Sequence, residues 1–278
     1  MADILISAVS TTYTGTENAD DFQNTIGTIR DITVEGGSGS DVLTIASGTK
    51  DSDGADGQRL RFSIASADLN LGFGDDTIDF IGGDAAGQAK FDDTNVRLGQ
   101  GDDFALIAGV ASANASTIRG NEGNDEIRFA SFTGASTTAS DLRLNGNAGA
   151  DDIQFTWSGT EANGFGILGG ADNDTVSATF TTNISAFGSA DNTFTGAKIG
   201  GNKGDDVIVA NFLGTSDQVR VNGNSGADTI VVTAAADNVR FGVAGGKGND
   251  VISAVFVGGN TSEAATVAGS LGNDTVSL

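Results

Sequence analysis

The chain has 278 residues with 42 glycines and no proline, cysteine or histidine, and its 37 acidic against 14 basic residues give a formal charge of -23. These absences exclude a disulfide framework, a thiolate or imidazole metal site and the commonest general base, and the charge argues against nucleic acid as a partner. The apolar 38% is evenly spread and rich in β-branched residues and phenylalanine, so the chain is expected to fold, as a single domain over 1–278.

The N-terminal stretch MADILISAVSTTYTG has no basic region and too short an apolar run for a cleavable secretory signal or a membrane span. Export would need another route, and no membrane insertion is expected. From here the chain repeats itself. A worn copy, GTENAD at 15–20, is followed by GGSGSD at 36, LGFGDD at 71, LGQGDD at 98, GNEGND at 120, GNAGAD at 146, GGADND at 169, GNKGDD at 201, GNSGAD at 223, GGKGND at 245 and GSLGND at 269. The closing aspartates lie 21 to 35 residues apart, a period that signals stacked repeats.

Two residues before each clear turn stands an apolar residue: Val34, Leu69, Val96, Ile118, Leu144, Ile167, Ile199, Val221, Val243 and Val267. Two residues after each aspartate stands another: Leu43, Ile78, Ala105, Ile127, Ile153, Val176, Ile208, Ile230, Ile252 and Val276. Period-two alternation on both arms predicts strands, and helical spacing is nowhere sustained. The fixed turn column favours coils stacked directly on one another over antiparallel blades. The expected fold is therefore all-β, a right-handed parallel β-solenoid of about eleven coils, roughly 50 Å long at about 4.8 Å per coil.

Further along each second arm the inward pair reads Phe129 and Ser131, Phe155 and Trp157, Ala178 and Phe180, Ala210 and Phe212, Ala254 and Phe256. Large and small residues trade places, as a narrow core filled layer by layer requires. The turns at the far side of the coil, such as TGASTTAS at 133–140 and AAAD at 234–237, vary in length and are expected to hold insertions; GTKDSDGADGQ at 48–58 reads as a surface excursion.

The second turn position holds only glycine, asparagine and one serine, which left-handed backbone geometry alone explains. The aspartate is different. Ten unpaired carboxylates stacked about 5 Å apart would repel unless cations lay between them. Calcium suits such a column, because it takes six to eight oxygens from carboxylates and exposed carbonyls, and magnesium suits it less well.

The stretches GGKGNDVIS, GNSGADTIV and GGSGSDVLT resemble the glycine-aspartate nonapeptide of the RTX, or hemolysin-type, calcium-binding family, G-G-x-G-x-D-x-U-x. The resemblance implies a parallel β-roll with calcium held between successive turns, and export by the type I route, placing the protein outside the cell or on its surface. It implies carboxylate ligands at Asp20, Asp41, Asp76, Asp103, Asp125, Asp151, Asp174, Asp206, Asp228, Asp250 and Asp274. It implies carbonyl ligands at Gly36, Gly39, Gly74, Gly101, Gly123, Gly149, Gly204, Gly226, Gly248 and Gly272, while Asp172, standing where a glycine is expected, would add a ligand or distort its site. Family members repeat the nonapeptide in tandem, whereas here each longer coil carries one copy, so one calcium row is expected instead of two. About ten ions would nearly cancel the excess charge and couple folding to calcium.

A second column, Arg97, Arg119, Arg143, Lys198, Arg220 and Arg240, precedes the turn on the outward phase. It reads first as solvated charge; a row for carbohydrate or phosphate is the alternative, and a cell-surface polysaccharide is the partner it would suit. No catalytic residue is expected: histidine is absent, Tyr13 is the sole tyrosine, and the carboxylates sit in repeated columns instead of a converging cluster. A structural role asks least of the sequence. With no evident cap at either end, the expectation is a head-to-tail homopolymer forming a filament or surface layer; a segment of a secreted adhesin and a phage fibre or other virion appendage are the alternatives.

Overall fold

The two alternating arms of every repeat form two long sheets that meet at the glycine-aspartate turn. The computed structural model describes residues 3–8, 11–24, 28–46, 63–81, 89–131, 138–159, 161–184, 196–235, 238–257 and 265–278. A 12-stranded sheet runs from Asp3–Ile6 to Thr275–Ser277, and an 11-stranded sheet runs from Thr12–Thr14 to Thr266–Leu271. Every pairing is parallel and joins equivalent residues of neighbouring repeats, such as Ile127 with Ile153 and Ile118 with Leu144. The described residues contain no helix, and so none long and apolar enough to cross a membrane. This is the parallel β-solenoid that the period-two arms and the fixed turn column predict.

A third face was not expected. Six strands of three residues, Thr28–Arg30, Ser63–Ala65, Lys90–Asp92, Ser112–Asn114, Thr138–Ser140 and Glu161–Asn163, form their own parallel sheet. Each precedes a strand of the 11-stranded sheet across a corner whose pivot residue has a left-handed backbone: Asp31, Ser66, Asp93, Ala115, Asp141 and Gly164, with φ from 48° to 65°. Gln218 and Arg240, both at φ 54°, continue the column inside the longer strands Ser216–Ser225 and Asn238–Lys247. The excursion at 48–58 and most of the far-side turns at 133–140 and 234–237 lie outside the described residues.

Inward positions from all faces meet in one core. The flanking columns are buried as their alternation predicts except in the last coil, where Val267 is half-buried and Val276 exposed, and Phe155, Trp157, Phe180 and Phe212 are among the largest buried side chains. Aromatic rings form a chain along the axis, Phe80, Phe91, Phe129, Phe155, Phe180, Phe212, Phe241 and Phe256, with successive centroids 5.1 to 6.3 Å apart. Phe91 comes from the short sheet and Phe241 from the 11-stranded one, so the core is filled from opposite walls. Such ring pairs add about 0.5–1.5 kcal/mol beyond their buried area.

Candidate metal centre: the aspartate corner

The turn between the two long sheets has the same backbone in its ten clear copies, but not in GTENAD, where neither Thr16 nor Asn18 has a positive φ. In those ten copies the second residue has a positive φ, from 77° at Asn224 to 144° at Gly170, and so has the fourth, from 78° at Asp172 to 142° at Gly272. The fourth glycine is required for a second reason. A Cβ on Gly123 would overlap the carbonyl oxygen of Gly101 in the preceding coil, and the same overlap recurs at Gly149, Gly226 and Gly248. Asp172 adopts the fourth-position geometry at φ 78° with its side chain exposed, so the turn is not distorted there, and its carboxylate is not drawn into the buried column.

The closing aspartates from Asp20 to Asp250 are buried in a single file. Each Oδ1 beyond Asp20 accepts the backbone N–H of the aspartate one coil earlier, at 2.6 to 3.0 Å, from Asp41 accepting Asp20 to Asp274 accepting Asp250. The carboxylates are therefore not wholly unpaired, as the sequence suggested; one oxygen of each is held by a charge-assisted bond. The other is not. Oδ2 of Asp41, Asp76, Asp103, Asp125, Asp151, Asp174, Asp206, Asp228 and Asp250 is buried without a hydrogen-bond partner. In most coils it lies against the turn's own first glycine: a Cβ on Gly120, Gly146, Gly201 or Gly223 would collide with it.

A second ladder escaped the sequence reading. The fifth turn residue, where it is Asp or Asn, accepts an N–H from the following coil: Asp75 from Asp102, Asp102 from Asn124, Asn124 from Ala150, Asn173 from Asp205, Asp205 from Ala227 and Asn249 from Asn273, at 2.6 to 3.0 Å. The recurrent D-D and N-D pairs closing the turns were its signal. The two ladders run in opposite directions along the stack and tie each turn to both neighbours.

Burial pushes the carboxyl groups from Asp41 to Asp228 up, with repulsion from neighbouring carboxylates adding to it and the backbone N–H bond partly opposing it. Asp103 reaches about 8, Asp76, Asp151 and Asp174 about 7, and Asp125, Asp206 and Asp228 about 6; Asp41 is also raised. At neutral pH a cation would relieve this cost. Among the described residues no three acidic side chains converge on one point, so any ion here would draw most of its ligands from the backbone. A file of orphaned carboxylate oxygens inside carbonyl-rich turns is a hard-oxygen donor set, and it fits calcium.

The basic column divides. Arg97 and Arg119 share one register row, while Arg143, Lys198 and Arg220 belong to the row two residues earlier. Arg97 pairs with Asp68 at 2.9 Å, and Arg240 stands at the far corner, paired with Asp217.

The fold and the corner define a parallel β-solenoid whose coils are registered by stacked aspartate turns. The family model described as the RTX calcium-binding nonapeptide repeat (4 copies) matches residues 110–131, which contain the turn GNEGND and Asp125. That segment matches a calcium-binding RTX repeat, of a kind typical of secreted, extracellular proteins, and such repeats indicate calcium binding. No curated protein and no solved structure gives a match.

Proposed function

We propose that the protein is an extracellular structural rod ordered by calcium at the aspartate corner. The supporting observation is the file of nine buried Oδ2 atoms without partners. The ions would be held by the closing aspartates and by carbonyl oxygens of the turn glycines, in one row along one corner. In this reading each turn contributes part of a site that the next turn completes, so ion binding and stacking are a single event. The test is far-UV circular dichroism at pH 7.5 with chelator and during calcium titration. The expected result is a weak β signal that rises cooperatively with calcium; an identical spectrum and melting curve in both states would overturn the reading.

The finer part of the proposal is assembly. Among the described residues the strands Asp3–Ile6 and Thr275–Ser277 are the outermost of the 12-stranded sheet, so each presents an edge with backbone groups that a further strand could bond. A second copy stacked end to end would satisfy them, as would a further coil of a longer chain. Negative-stain electron microscopy of this polypeptide with and without calcium separates the two: fibres only in calcium support end-to-end assembly, and single short rods in calcium refute it.

A further inference from the structure

The outer face of the 11-stranded sheet gathers cations in a chain that is otherwise strongly acidic. From Thr117–Glu122 to Asn238–Lys247 its two outward columns carry Arg119, Arg143, Lys198 and Arg220, and no carboxylate or aromatic residue. In the middle of this stretch Gly166 stands in register between Arg143 and Lys198. With no side chain there, the two cations are two coils apart, about 10 Å along the sheet. They border a groove of about 350 Å³ that Arg119, Asp141, Asn145 and Leu168 also line. Among the described residues neither Arg143 nor Lys198 forms an ion pair. Arg119 is steadied by a 2.7 Å bond to Asn95 Oδ1.

We propose that this groove binds an acidic saccharide, a chain bearing uronic acids that lies along the stacking axis. Three features select that chemistry. The unpaired cations on the rims suit carboxylates repeated along a polymer. Asp141 and Asn145 would accept and donate hydrogen bonds to ring hydroxyls, whereas a carboxylate beside a bare phosphate or sulfate only repels it. Leu168, half-buried on the floor, offers a surface for the apolar face of a sugar ring. Nucleic acid fits less well, because the face has no stacking platform and the chain as a whole would repel a dense polyanion.

The probe is trigalacturonate, measured by isothermal titration calorimetry in saturating calcium, with maltotriose and sodium sulfate as comparisons. The informative variant is Gly166→Leu. Gly166 has no positive φ, and a Cβ there would meet only Arg143 Cγ at 3.7 Å, so a side chain fills the groove without straining the strand. Trigalacturonate is expected to bind, with Gly166→Leu and Lys198→Glu each weakening it about tenfold or more. Maltotriose should bind far more weakly, and equimolar sulfate should not displace the uronate. Absence of trigalacturonate binding, equal affinity for maltotriose, displacement by sulfate, or wild-type affinity in Gly166→Leu would each overturn the proposal. Both variants lie away from the aspartate corner, so their calcium-induced circular dichroism should match the wild type; that readout keeps a failure here distinct from a failure of the calcium reading.

Discussion

The coil turns through left-handed residues at two corners, and the two corners obey different rules. At the aspartate corner φ lies mostly between 77° and 144°, and the column is glycine and asparagine with rare exceptions. At the far corner φ lies between 48° and 65°, and the same role is taken by Asp31, Ser66, Asp93, Ala115, Asp141, Gln218 and Arg240. The second range is the ordinary left-handed well, open to any L-residue at about 1–2 kcal/mol. Much of the first range lies beyond that well, where a Cβ is strained and, at the fourth position, also overlaps the neighbouring coil. One corner is fixed by covalent geometry and stacking; the other is fixed only by the path of the chain.

The largest effect should come from breaking that difference. Gly123→Ala places a Cβ against Gly101 O at φ 126° and should cost about 4 kcal/mol or more, in calcium or without it. Ala115→Gly, one corner away in the same coil, should change stability by no more than about 1 kcal/mol, because relief at φ 50° is offset by a freer unfolded chain. Urea unfolding of both variants at fixed calcium makes the measurement. Comparable losses would mean that the corners are equally constrained.

The aromatic core should rank next. Phe180 stacks on Phe212 at 5.2 Å with the rings nearly parallel, and Phe180→Ala should cost about 3–5 kcal/mol through the cavity it leaves. Calcium should not rescue it, since the loss lies on the apolar side of the coil. A calcium-dependent penalty would show that core packing and ion binding are coupled more tightly than nearest-neighbour stacking implies.

At the aspartate corner the effect should depend on pH and change sign with calcium. Asp76, Asp103, Asp125, Asp151, Asp174, Asp206 and Asp228 have folded-state pKa values of about 6 to 8 against an ordinary value of 3.8. A raised carboxyl pKa means that the folded chain holds protons that the unfolded chain has lost. Without calcium, stability is therefore fully present below about pH 4 and is lost as pH rises through about 6 to 8. The metal-free protein should melt highest in mild acid, and calcium should restore stability at pH 8 while losing its hold as pH falls. Asp151→Asn keeps an Oδ1 acceptor for the Asp125 N–H but removes the charge. It should stabilise the metal-free protein at pH 8 by about 1–2 kcal/mol and weaken the calcium response. Thermal melts from pH 4 to 8, with and without chelator, check both signs.

The same contrast between corners explains what the sequence made legible. The strands and their inward faces could be read because Val34, Leu69, Val96 and their successors alternate without exception, and the aspartate corner because its backbone admits so few residue types. The short third sheet could not be read. Its pivots are Asp, Ser, Ala and a single Gly, with no glycine column to mark a bend, and its strands are three residues long, below the length at which alternation has statistical weight. Phe91 and Phe241 were missed as members of the ring chain for the same reason: their place in the core depends on where the unmarked corner lies. Within the site, the identity of the aspartate was plain, but its one bonded and one orphaned oxygen depend on the register between coils, which no single repeat encodes.

The smallest expected effect tests the tolerant corner at its least likely-looking pivot. Arg240 has a left-handed backbone at φ 54°, and its guanidinium makes a two-pronged bond to Asp217 of the preceding coil, at 2.9 Å from Nε and 2.6 Å from the second amine. The pair is partly solvated, the Arg240 side chain being half exposed, so Arg240→Ala should cost only about 0.5–1 kcal/mol. Arg240→Gly loses the same pair but also relieves the backbone, a gain of about 1 kcal/mol, so it should be close to neutral and more stable than the alanine variant. That order, glycine above alanine, is the signature of an ordinary left-handed pivot whose side chain is incidental. The reverse order would mean that the ion pair and not the backbone path holds the far corner in register, and the two corners would then differ in chemistry more than in geometry.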